Sequence, residues 1–153
     1  MTYRYKGAKA LVNLHETHLR SCLACWREAK QAKLQLPNTN DTDYDSLEHL
    51  LMHILRAALG YMTWICEQLD LPDPEIHAVP NLETVEQEAE AFLEHLLERW
   101  RLPLMDVEER RFYHPSYTSR WGPLYCIDAM LEHAVMHPIR HEYQLRNLLD
   151  KST

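Results

Sequence analysis

Glycine is scarce in this sequence, with three in 153 residues, and phenylalanine is scarcer, with two. Runs of β-branched residues are few as well. So little turn-forming glycine and so few strand-forming runs argue against a sheet protein. No apolar run is long and clean enough to span a bilayer: the richest, Leu50 to Leu69, is broken by His53, Arg56, Glu67 and Gln68. Basic charge is in the minority, 16 Lys and Arg against 23 Asp and Glu for a net charge of -7, and it gathers into no patch or tail. That balance argues against nucleic acid and against an anionic membrane surface, since both demand clustered cations. The opening residues, MTYRYKGAKALVN, lack the apolar core of a signal peptide. The four cysteines suit a reduced compartment, so a cytoplasmic protein is expected.

Leu, Ala, Glu, Gln and Arg, all good helix formers, dominate what is present. The length suits one domain, residues 1–153, whose core can bury about two-thirds of the unfolded chain's surface. Four segments carry helical periodicity. The first runs from about Ala8 to about Gln35, before Pro37, and the polar stretch PNTNDTDYD follows. The second opens at Asp45, with Glu48 three residues on as in a capping box, and continues to about Asp70 before LPDP. The third begins near Asn81, and its apolar positions Val85, Ala89, Phe92, Leu93, Leu96 and Trp100 recur at helical spacing. Leu102 to Gly122 has no sustained period and reads as a long ordered loop. The fourth helix runs from about Pro123 to about Asp150. The expected fold is all-α: a four-helix bundle of up-down type with a long crossover loop before the last helix.

The chain carries ten histidines, and their placement matters more than their number. On the second helix the core stripe is Leu47, Leu50, Ile54, Ala58, Tyr61, Ile65 and Leu69; His53 lies at its edge and His49 one step toward solvent. On the fourth, the stripe of Ile127, Met130, Ala134, Leu145 and Leu148 includes His141, borders on His137 and leaves His133 just outside. Imidazoles at i and i+4 can reach one ion, and a third from a neighbouring helix completes a triangle with a coordination position left open. Packing at the core margin with ordinary hydrogen bonds is the simpler account of any one of them.

At these residues the sequence resembles the DinB-like family of metalloenzymes. HAVMHPIRHEYQL, His133 to Leu145, resembles the family's last-helix signature H-x-x-x-H-x-x-H-H-R-G-Q-I, and SLEHLLMHILRAALGYMTW, Ser46 to Trp64, resembles its second-helix segment. The order of helices and the long third crossover agree too, so the likeness covers nearly the whole chain. It implies a divalent ion, such as zinc, nickel or iron, held by His53, His137 and His141, with His49 or His133 standing in if the register slips by a turn. It also implies a metal-dependent transferase joining a low-molecular-weight thiol to an electrophile. A metal-dependent hydrolase or a non-catalytic, stress-associated metal-binding bundle is the alternative. The sequence departs from the signature at Arg140, which replaces the first histidine of the H-H pair, and at Glu142 and Tyr143, which replace Arg-Gly. Pro138 lies inside the helix, where it removes a hydrogen bond to Ala134 and is expected to kink the axis.

Other constellations are weaker. His15, His18, Cys22 and Cys25 share a face of the first helix, but the C-x-x-C is mid-helix, without the helix N-terminus that acidifies a redox thiol, and Trp26, Leu11 and Ala29 on the same face favour core packing. RRFYHPSYTSRW, Arg110 to Trp121, gathers Arg111, Tyr113, His114, Tyr117, Arg120 and Trp121; it reads first as an ordered connection whose aromatics cap the bundle, and otherwise as a cover for the site's mouth, with Arg120 or Tyr117 orienting a substrate. The carboxylates from Glu83 to Glu98 read as a solvated face. The oligomeric state is not legible, and a homodimer is compatible with the sequence.

Overall fold

The computed structural model describes residues 2–153. It is mostly helical: α1 Lys6–Gln31, α2 Leu47–Gln68, α3 Val85–Trp100, a single-turn α4 Arg110–Tyr113, and α5 Ile127–Ser152. A two-stranded antiparallel ribbon, β1 Tyr117–Thr118 and β2 Leu124–Tyr125, precedes α5. Among the described residues no helix is long and apolar enough to cross a membrane.

Local chemistry sets the helix ends, and it moves several of them from where periodicity alone had placed them. α1 stops at Gln31 rather than near Gln35, because Lys33 takes a left-handed φ of 53° and the Leu34 N–H returns to the Ala29 carbonyl at 3.0 Å. α2 ends the same way, with Asp70 at φ 54° and the Leu71 N–H on the Cys66 carbonyl. Leu34 and Leu71 then fold back onto the core. The cap of α2 is Ser46, not Asp45: its Oγ accepts from the His49 N–H at 3.1 Å. Asn81 does cap a turn, accepting from the Thr84 N–H, but the helix proper begins at Val85.

The segment read as a loop, 102–122, contains α4 and β1. The last helix starts later than Pro123, at Ile127, behind a Cys126 cap. Pro123 instead accepts the Ser119 N–H across the ribbon's turn at 2.9 Å, and Gly122, at φ 117°, takes a conformation that an L side chain would strain. α5 runs unbroken through Pro138.

One core cluster draws on all the helices. α1 packs chiefly along α5, and α2 lies against both α5 and α3. Three buried indoles fasten the layers. Trp26 donates to the Leu47 carbonyl at 2.6 Å, Trp100 to Ala58 at 2.9 Å and Trp64 to Thr118 at 3.2 Å. These bonds tie α2 to α1, α3 and the ribbon. The carboxylates of α3 are exposed but not idle: Arg20 pairs with Glu94, Arg27 with Glu90 and Lys30 with Glu86, lacing α1 to α3.

Candidate metal centre

His53 stands two turns into α2, and His137 and His141 stand one turn apart on α5. Where the helices meet, the Nε2 atom of His137 lies 3.1 Å from Nε2 of His53 and 3.3 Å from Nε2 of His141. Ligand atoms from all three lie within 4.8 Å of one another, and among the described residues this is the one group of His, Cys, Asp or Glu so arranged. An ion with bonds near 2.0–2.1 Å spaces its tetrahedral ligands about 3.3–3.4 Å apart, so the two short separations match the edges of such a polyhedron.

The outer nitrogens say which way the rings face. His53 Nδ1 sits 3.0 Å from Asp43 Oδ2, and His141 Nδ1 sits 3.0 Å from Gln144 Oε1. Both partners are acceptors, so each Nδ1 carries a proton, and in a neutral ring that leaves the Nε2 lone pair facing inward. Carboxylate and amide oxygens behind ligating imidazoles are the usual means of fixing tautomer and ring angle. Asp43 is delivered by a tight helical turn, Thr42–Tyr44, capped by the Asp41 carboxylate. The Tyr44 hydroxyl donates to the same Gln144 oxygen at 3.3 Å. Burial, reinforced by the neighbouring histidines, lowers His137 to about 3, and burial followed by repulsion from His53 lowers His141 to about 4. Both are therefore neutral at pH 7, the form that ligates.

A one-turn slip is not what the fold adopts. His49 Nδ1 is bonded to Ser46 Oγ at 2.8 Å, and His133 stacks on Trp121 with ring centres 4.9 Å apart. The helix-one group does not assemble. His15 is buried and stacked on Trp100 at 3.7 Å, Cys22 and Cys25 are buried, and burial pushes the Cys22 thiol up to about 12. They are core.

A cleft of about 290 Å³ opens beside His53 and His137, walled by Tyr61, Trp64, Trp121, Arg56 and Arg120. Of the residues gathered in RRFYHPSYTSRW, only Arg120 and Trp121 reach it. Tyr117 packs edge-on against Trp64, Arg111 donates to the Leu69 carbonyl, and Tyr113 bonds to Tyr5. Asp43 and Arg56 were missed in the sequence. Asp43 lay in a polar connection with no periodic signal, whereas Arg56 sits three residues after His53 and could have been found by helical projection.

Comparison with known protein families, with curated proteins and with solved structures finds no match to this chain.

Proposed function

We propose that the protein is a divalent-metal enzyme of the DinB-like type, a four-helix bundle of up-down connectivity that transfers a small thiol to an electrophile. The observation that carries this reading is the convergence of three imidazole Nε2 atoms at ligand-polyhedron spacing, with outer partners on two of the rings. A divalent cation would satisfy all three nitrogens at once. His53, His137 and His141 would hold the ion; zinc, nickel and iron all accept imidazole.

An ion at such a site supplies Lewis acidity, which makes a coordinated thiol acidic near neutral pH. The chain's own residues do the rest. Asp43 and Gln144 keep the ligand rings in register, and Tyr61, Trp64 and Trp121 exclude water and receive the apolar part of a substrate. Burial raises the Tyr61 phenol to about 12, so it stays protonated and serves as a hydrogen-bond donor rather than a base. In the transfer, the thiol proton leaves to solvent, a sulfur–carbon bond forms, and the electrophile's leaving group departs with its bonding pair. The open cleft beside the histidines favours this reading over a purely structural metal site, whose coordination would be closed.

The test begins with metal analysis of purified protein, followed by turnover of a haloaromatic electrophile with a panel of cellular thiols. Turnover lost on chelation and in His137→Ala supports the reading. Metal retention without turnover on any thiol favours the non-catalytic binder, and turnover unchanged by chelation overturns the metal mechanism.

A further inference from the structure

The cleft beside the histidines has a charge character opposite to that of the chain. The protein carries 23 acidic residues against 16 basic ones, yet Arg56 and Arg120 both line the cleft and no Asp or Glu does. Among the described residues Arg56 has no carboxylate within ion-pair distance. Arg120 has only Glu67, at 3.6 Å and with both side chains about half exposed, a pairing that water and salt weaken and that an incoming anion can replace.

The backbone beneath Arg120 leaves room for it. Gly60 occupies the middle of α2, where glycine costs a helix about 1 kcal/mol relative to alanine. A Cβ at Gly60 would stand 3.3 Å from Arg120 Nη1, closer than most such contacts. The missing methyl group therefore lets the guanidinium lie against the helix. Along α2 the cleft-lining residues follow in order: His53, then Arg56 and Ala57, then Gly60 with Arg120 over it, then Trp64. From His53 to Gly60 is seven residues, roughly 10 Å of helix axis. Cations and aromatic rings thus line a track leading away from the histidines.

We propose that Arg56 and Arg120 form a carboxylate subsite, and that the cleft selects small organic anions whose apolar body lies against Tyr61, Trp64 and Trp121. The planar fork of each guanidinium matches the two oxygens of a carboxylate, and the apolar walls reduce the competition from water. This deepens the functional reading above and rests on its use of the cleft as the ligand site, but the subsite needs no metal to bind its anion.

The two can be tested apart. Trp64 and Trp121 in the cleft wall report binding by fluorescence, so hydrocinnamate and its neutral counterpart hydrocinnamamide are titrated into metal-loaded and chelated protein. The carboxylate is expected to bind about tenfold more tightly than the amide in both, the weight of a modest charge-assisted hydrogen bond. In the R56Q/R120Q double variant the two affinities should converge. Gly60→Ala should raise thermal stability while weakening hydrocinnamate severalfold, a combination that damage to the fold does not produce. Equal affinities in the unaltered protein, no saturable binding of hydrocinnamate, or a preference that persists in the double variant would overturn the proposal. So would a preference that vanishes on chelation, since the ion would then be holding the carboxylate. Failure of the thiol reading appears elsewhere, as absent turnover with the anion preference intact.

Discussion

A histidine becomes a ligand through what stands behind it as much as through where it points. His53 is backed by Asp43 and His141 by Gln144, while His49 spends its Nδ1 on Ser46 and His133 its ring face on Trp121. Two substitutions test this. Replacing His137, whose Nε2 is close to both of the others, is expected to abolish stoichiometric zinc or nickel binding, read by metal analysis after dialysis. Asp43→Asn should leave the ion bound but weaken it roughly 10- to 100-fold, read by competition with a chromophoric chelator. An affinity unchanged in Asp43→Asn would mean that the carboxylate does not orient the ring. Acid should release the metal late, because burial already keeps His137 and His141 neutral down to about pH 3 and pH 4, and protons compete poorly for them.

At the scale of elements, α2 carries the site, and its first turn depends on one side chain. Ser46 Oγ accepts from the His49 N–H and also meets His49 Nδ1. Ser46→Ala is expected to cost about 1 kcal/mol in denaturant unfolding, the usual loss of a helix cap. Because His53 stands only one turn beyond His49, fraying there should also loosen metal binding; unchanged stability would show that the turn is held by the Trp26–Leu47 bond instead. The ribbon before α5 illustrates a different dependence. Tyr117 and Leu124 belong to strands of two residues each, too short to stand alone, and Trp64 on α2 secures them through the Thr118 carbonyl.

For the molecule as a whole, the buried histidines make acid a denaturant. His15 has no hydrogen-bond partner on either ring nitrogen, and burial lowers it to about 3. Its folded pKa lies below the unfolded value near 6.5, so the unfolded chain takes up a proton first. The stability associated with its neutral form is therefore complete above about pH 6.5 and lost as pH falls toward 3, roughly 2 kcal/mol of it by pH 5. Chemical denaturation at pH 7.5 and pH 5 should show that loss, and His15→Phe, which keeps a ring stacked on Trp100, should shrink it. An equal acid loss in that variant would assign the effect to other groups. Metal adds in the other direction: at a thousandfold excess over its dissociation constant an ion bound only by the folded state contributes about 4 kcal/mol, so loaded protein should melt higher and His141→Ala should not respond.

The amino-acid order alone determined the four long helices, because apolar residues at helical spacing must share a face whatever they later pack against. It also marked His137 and His141 as a pair, since i and i+4 on one helix are neighbours by geometry. It placed His53 at the margin of a core stripe, and a resemblance to a family selected that residue over His49. The rest was settled in three dimensions. Which nitrogens face one another depends on the register in which α2 meets α5, and Trp26, Trp64 and Trp100 tie α2 to α1, the ribbon and α3 through carbonyls far along the chain. Asp43 reaches His53 across a connection with no periodicity to read, and Arg120 reaches the cleft only because a ribbon of two short strands turns it back over Gly60. Helix faces are local and repeat along the sequence, whereas a site assembled from four separate segments exists only once packing has brought those segments together.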